Sequence, residues 1–349
     1  MAFAEEQTIL EALQMDELNQ YAEEQGFDFR QWLLSALSGE FDLLDLSKSM
    51  LDECKQSLMQ DVQALSGLLI PMSVLLMLRL VLPEKCISRR TAAYICRIGC
   101  FGVLATEFAA MCRVAHGLMQ RILECSNLLT PVLITAVALS GAETTASFLR
   151  PAMGLCANLL QWLLDQWGIA LSCAAAGIAI AGNLSANIRL KRLHALFKQL
   201  LHWGAGGMMS AFMAVLSIQG RLGAGHDSAA ARTARYAIES IIPVIGSNVS
   251  DSLDSLLSTA FIVKNAVGAT GLALIVAISI APLARLLGVT LLLRAVSAVS
   301  EPLGDDSMTA ATAQFADAVE MLLIASLSGA VLCGLLAGSC MSAASNVVR

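Results

Sequence analysis

Beyond residue 63 one apolar stretch follows another with almost no charge to cover them, and that pattern decides the solvent of the fold. The 349-residue sequence is 56% hydrophobic and 14% charged, where a soluble domain carries about 25% charged residues. So little charge cannot clothe a water-exposed globule of this size. The chain therefore reads as an integral membrane protein. Its charge is also unevenly placed: residues 1–63 hold 14 acids and 3 bases, and residues 64–349 hold 14 acids and 19 bases. This separates an acidic N-terminal head, 1–63, from a membrane domain, 64–349. The basic balance of a nucleic-acid binder is missing, so no nucleic acid is expected as a partner.

Gly, Ala, Ser, Leu and Met dominate the body, and aromatic residues make up 5% of the chain. Small residues let helices approach closely in lipid, whereas the alternating segments of about ten residues that build a β-barrel do not occur. The expected fold is all-α: a polytopic helical membrane protein with about six crossings, one re-entrant segment and an acidic N-terminal helical head.

In the head, apolar residues recur at helical spacing over 12–21 and 41–64, punctuated by Gly26 and Gly39. Ala2-Phe3-Ala4 resembles the small-residue end of a signal-peptide cleavage site, although the basic start and apolar core of a leader are absent. A leader trimmed or missed would place the head outside the cytoplasm; the alternative is chance. Most of the ten cysteines lie in apolar stretches, with no C-x-x-C pair, and Cys54 is alone in the head. Together with His116, His194, His202 and His226 they lack zinc-site spacing, so small apolar packing residues are expected and no metal or cofactor.

Candidate spans are 64–82, 91–112, 167–184, 204–218, 260–287 and 321–341. Segment 128–140 is apolar but only about 20 Å long as a helix, short of the roughly 30 Å hydrocarbon core. Positive-inside reasoning puts Arg89/Arg90, the run Arg189–Lys198 and Arg285/Arg294 on the cytoplasmic side. Parity then requires one segment that dips without crossing. Segment 127–164, interrupted by Pro131, Gly141 and Pro151, is the expected one, since broken backbone is tolerated at depth where protein or trapped water satisfies it.

Ionisable groups at membrane depth point to function: Glu107, Glu143, Asp165, Lys264 and Glu320 qualify, with interface-level placement as the plainer alternative. Lys264 stands in a distinctive run, Ile262-Val-Lys-Asn-Ala-Val-Gly-Ala-Thr-Gly271, which also holds Asn265 and Gly268. Upstream come Ser217-Ile-Gln-Gly220, Asp227, Arg232-Thr-Ala-Arg235 and Ile242-Pro-Val-Ile-Gly246. Asp227 is placed to pair with Arg232 or Arg235 across a loop or in a neighbouring copy, and Pro243 and Gly246 to end or kink a helix. His194 and His202 fall in a basic amphipathic stretch expected to face solvent or headgroups. No phosphate-binding loop, nucleophile–base pair or nucleotide fingerprint emerges, so an enzyme is not expected.

These motifs, in this order, resemble the stage III sporulation protein AE family. Ser217-Ile-Gln-Gly, Asp227 with Arg232-Thr-Ala-Arg235, Ile242-Pro-Val-Ile-Gly246, Val263-Lys-Asn-Ala-Val-Gly-Ala-Thr-Gly271 and Glu301-Pro302-Leu-Gly304 carry the resemblance, with Leu129-Thr-Pro131-Val-Leu, Gly141 and Ser147-Phe-Leu-Arg-Pro151 upstream. The sequence departs from the family in the absent leader core and in Asp305-Asp306. The resemblance implies a membrane-embedded subunit of the channel or secretion-like complex that links mother cell and forespore and sustains late forespore gene expression. It implies as partners the other stage III A operon proteins and, indirectly, stage II sporulation protein Q, with the chain in the mother-cell membrane around the forespore as a homo-oligomer in the lipid bilayer. The competing reading is a stand-alone secondary transporter, in which Thr130-Pro-Val-Leu-Ile and Ile242-Pro-Val-Ile-Gly would be paired broken helices around a midplane site.

Overall fold

The structure, a computed structural model, describes residues 15–38, 59, 87–140, 142–162, 167–184, 190–241, 246–301 and 306–342. Those residues form helices and no strand. In chain order the helices are α1 (Asp16–Glu24), α2 (Phe29–Ser38), α3 (Ile87–Leu139), α4 (Glu143–Trp162), α5 (Ile169–Leu184), α6 (Lys191–Ile241), α7 (Gly246–Ser300) and α8 (Asp306–Ser342).

The head supplies a tight helical corner. Asp16 and Glu17 occupy the first turn of α1, where carboxylates meet the positive end of the helix dipole. At its other end Gly26 adopts φ +86, a conformation that only glycine takes without strain. The Phe27 N–H then reaches the Ala22 carbonyl at 2.8 Å and the Gly26 N–H the Glu23 carbonyl at 2.9 Å, the two bonds of a Schellman stop. Asp28 caps α2 by accepting from the Gln31 N–H at 2.9 Å. The corner is not left in solvent: the Tyr21 hydroxyl donates to the Arg121 carbonyl of α3 at 2.7 Å, and Leu18, Phe29 and Leu33 are buried. Burial raises the Tyr21 phenol well above its ordinary range.

Two apolar cores lie one above the other along the bundle. The first joins α1 and α2 to Leu118–Val137 of α3, Ala146 and Met153 of α4, Phe212 of α6, Val263–Ile278 of α7 and Ala330–Ala337 of α8. The second joins Cys100–Ala115 of α3, Ala175–Ala179 of α5, Leu201 of α6, Leu286–Leu293 of α7 and Met308–Leu322 of α8. The N-terminal parts of α3, α6 and α8 therefore meet the C-terminal parts of α5 and α7. This gathers Lys191, Arg192, Lys198 and Arg294 at the same end of the bundle, while Arg285, expected on the same side as Arg294, stands apart beside Arg113 and Arg121.

Among the described residues four helices are long and apolar enough to cross a membrane: Arg97–Leu139, Lys191–Ile218, Thr259–Ser300 and Ser307–Ser339, with Ile169–Asn183 as a shorter apolar helix. Of the apolar windows of these four, that of α8 is 56% buried inside the protein and that of α6 only 17%. The last helix is thus the axis of the bundle and α6 lies at its periphery.

The segmentation differs from the expected spans in three places. Residues 91–112 and 128–140 belong to one helix, α3, and Pro131 lies inside it. A proline removes one backbone donor, and here the Thr130 hydroxyl donates to the Ser126 carbonyl at 2.6 Å and Thr135 to the Pro131 carbonyl at 2.8 Å. These hydroxyls add bonds to carbonyls on either side of the proline, a kind of side-chain support that helps an apolar helix to tolerate one. Pro151 likewise lies inside α4. Residues 260–287 are not broken at Lys264, Asn265 or Pro282, since α7 runs through all three. The span expected at 64–82, and the head segment 41–64 apart from residue 59, lie outside the described residues.

Candidate functional site

Two polar clusters interrupt the apolar packing. In the first, α6, α7 and α8 meet. Asp317 and Glu320 are three residues apart on α8 and so share a helix face. Lys198 of α6 donates to Asp317 at 2.6 Å and to Glu320 at 2.8 Å. Arg294 of α7 donates to Glu320 as well, and its guanidinium stands 3.6 Å from Asp317. Two cations and two anions thus form a neutral network that ties three helices together. His194, 4% exposed, completes it from below: its Nδ1 lies 3.3 Å from the Ala175 carbonyl of α5. Its Nε2 is 3.6 Å from Asp317, too far for a hydrogen bond, and has no other hydrogen-bond partner among the described residues.

Beside the network a cavity of about 550 Å³ is lined by Lys191, His194, Lys198, His202, Gln314 and Asp317, among others. Gln314 is held in turn by Asn183 of α5, whose amide donates to it at 3.0 Å. Ser307 at the start of α8 donates to the Asn183 carbonyl at 2.7 Å, and Ser297 of α7 donates to the Thr309 carbonyl at 3.0 Å. The first of these bonds satisfies a carbonyl at the C-terminal end of α5 that would otherwise lack a partner along the helix, and together they clasp the basic end of the bundle.

The second cluster centres on Lys264, which is 1% exposed. Its ammonium donates to the Met341 carbonyl at 3.0 Å and lies 4.6 Å from the centroid of the Phe261 ring. Met341 is in the last turn of α8, where backbone carbonyls have no partner along the helix and carry the negative end of its dipole. That last turn has no basic residue of its own. Lys264 supplies the missing cation from another helix, and the aromatic face adds a further attraction. The close approach depends on Gly268, one turn on: a Cβ there would overlap the Met341 side chain and stand 3.6 Å from the Ala337 carbonyl. At Gly271 an added Cβ would press on Leu129 of α3 at 3.1 Å. The run from Lys264 to Gly271 is therefore the seam along which α7 meets α8 and α3.

The other singled-out residues scatter. Asn265 is half-buried on α7. Asp227, Arg232 and Arg235 belong to α6, a continuous helix where a loop was expected. Gly246 opens α7, after α6 has ended at Ile241. Gly141, Asp165, Pro243, Pro302 and Gly304 lie outside the described residues. His202 is exposed as expected, but His194 is not, because its ring turns inward to the Ala175 carbonyl. Asp317 was missed altogether, and Lys198 and Arg294 had been read only as topology markers. Two acids three residues apart at the head of an apolar stretch were the available signal. Among the described residues no group of three or more His, Cys, Asp or Glu side chains is arranged to hold a metal ion.

Comparison with known proteins fits these seams. A protein of Bacillus subtilis (strain 168) named stage III sporulation protein AE is 26% identical over 176 residues, which is 50% of this chain and 44% of that protein. The match thus spans less than half the length of that relative. No solved structure matches. The stage III sporulation protein AE family itself matches residues 27–344, a range that takes in both apolar cores beyond α1, the ion network and the Lys264 seam, and the chain belongs to that family.

Proposed function

We propose that this protein is a membrane-embedded, non-enzymatic subunit of the channel or secretion-like complex that links mother cell and forespore and is needed for late forespore gene expression. Its place would be the mother-cell membrane around the forespore, with the other stage III A operon proteins as direct partners, stage II sporulation protein Q as an indirect one, and further copies of itself around it. Family membership supports the sporulation role. The observation that carries the subunit reading is the outer face of α6. Leu193, Leu196, Leu200, Trp203, Met213 and Ile218 are all exposed on a helix long and apolar enough to cross a membrane. Such a face needs lipid or neighbouring protein to cover it.

About six crossings would be made by the span expected at 64–82 together with α3, α5, α6, α7 and α8. The segment 127–164 maps onto the end of α3 and α4, which are joined through residues 140–142 and packed on one another. We read that hairpin as the re-entrant element. The solute-transporter alternative receives less support, because Lys264 at 1% exposure offers no face to a midplane solute.

Purification of the tagged chain from sporulating cells tests the proposal. Other stage III A operon products should co-purify. Removal of the Lys264 charge, or a bulky residue at Gly246 or Gly268, should lower spore yield while the chain still inserts in the membrane. A chain that purifies alone, with normal spore yield from all three variants at wild-type abundance, would overturn it.

A further inference from the structure

Among the described residues, Nε2 of His194 is a buried polar atom without a hydrogen-bond partner, on a side chain 5% exposed. Its Nδ1 faces the Ala175 carbonyl at 3.3 Å, so that nitrogen carries the ring proton and donates. Nε2 of the neutral ring is then an acceptor, and it faces a second acceptor, Asp317 Oδ2, at 3.6 Å. A proton added to Nε2 would not bond the two, since the separation exceeds hydrogen-bond length. A buried polar atom so placed calls for a partner that the protein itself does not supply.

Two helix faces build the space in front of it. On α8, Ala310, Ala313, Gln314 and Asp317 fall at helical spacing, and α6 sets His194, Lys198 and His202 opposite them. The cavity between, about 550 Å³, lies within the usual range for bound small molecules, about 300–1,000 Å³. Its walls narrow the choice of occupant. An anion would meet Asp317 and the Nε2 lone pair, and a cation would meet Lys191 and Lys198. An uncharged molecule meets neither objection.

That molecule must both give and take hydrogen bonds. Nε2 of His194 and Oδ2 of Asp317 accept. Gln314 uses its oxygen to accept from Asn183, which leaves its NH₂ group as a donor. His202 has its Nδ1 2.8 Å from the Lys198 carbonyl, so its Nε2 is a further acceptor on the same cavity. Ala310 and Ala313 add an apolar floor of small side chains. A hydroxyl donates and accepts at once, and a molecule with adjacent hydroxyls also brings C–H faces to lie on alanine.

We propose that this cavity binds a small soluble uncharged polyol, a sugar or cyclitol unit, with one hydroxyl donating to His194 Nε2 and its neighbour to Asp317. The full chain is purified in a polyoxyethylene detergent, because sugar-headed detergents would compete. Equilibrium dialysis with radiolabelled glucose, myo-inositol and glycerol reads binding, with unlabelled putrescine and inorganic phosphate as charged competitors. At least one of the polyols should bind saturably at millimolar concentration or below, and neither charged probe should displace it.

His194→Phe keeps a ring and removes both nitrogens, so it should weaken binding at least tenfold. Ala313→Leu retains every polar group and fills the floor, so it should give the same loss; it decides the question if the histidine variant fails to fold. Arg192→Gln, exposed and outside the lining, should bind as wild type. Absence of saturable binding by all three polyols, displacement by either charged probe, an equal loss in the Arg192 control, or undiminished binding by Ala313→Leu would each overturn the proposal.

Discussion

The ion network and the Lys264 seam both hold a lysine between helices, and they do so by opposite means. Lys198 sits beside an open cavity, its side chain 26% exposed, and is matched by two carboxylates that Arg294 shares. Lys264 is shut away and, among the contacts described above, is held by a backbone carbonyl and a ring. A network of partly wet charges contributes modestly, because water and salt screen it and each partner has a substitute. An ammonium buried at 1% exposure has given up its hydration, so the groups that hold it must offset that loss. The contrast teaches that the number of ionic contacts is a poor guide to which charge matters to the fold.

Substitutions break or sharpen that contrast. The largest effect is expected from Lys264→Glu, which sets a carboxylate against the carbonyl end of α8 and should destabilise by about 3–5 kcal/mol. Unfolding in detergent measures it, and a wild-type midpoint would remove the contrast. Gly268→Ala comes next, at about 1–3 kcal/mol from overpacking. Adding Met341→Ala should recover most of that loss, because the clash is with the Met341 side chain; a double-mutant cycle that shows no coupling would place the strain elsewhere. Glu320→Gln takes an acceptor from both Lys198 and Arg294 and should lower stability by about 1 kcal/mol, with the difference shrinking in high salt. Arg294→Gln should be the mildest, about 0.5 kcal/mol or less, because its side chain is 52% exposed and Lys198 still bridges both acids. If the order of the first and third variants were reversed, the sealed lysine would not be the stronger anchor.

The helical class could be read directly from the apolar runs, but not where each membrane-length helix begins and ends, since 91–112 and 128–140 belong to one helix. Lys264 and its glycines could be singled out because a cation beside small residues is rare in such a run. What held Lys264 could not be read, since its partner is a backbone carbonyl 77 residues away that no side-chain pattern announces. The break expected at Pro131 is not found either. A helix can run through a proline where neighbouring side chains support the turn, and here the Thr130 and Thr135 hydroxyls bond the carbonyls of Ser126 and Pro131 on either side. The joining of Lys198 with Asp317 and Glu320 depends on α6 and α8 lying side by side, a tertiary fact that composition does not encode. Gly26, by contrast, acted as its sequence suggested, because a Schellman stop is local.

The lengths of α3 and α7 have a further consequence. With 53 and 55 residues, each is about 80 Å of helix, against an oil layer of about 30 Å. Even at a lean of 40°, the steep end of what transmembrane helices adopt, that layer takes up only about half of such a rod. About half of each rod therefore has to lie beyond the oil layer or be covered by other parts of the protein, joined to the half within it by unbroken helix.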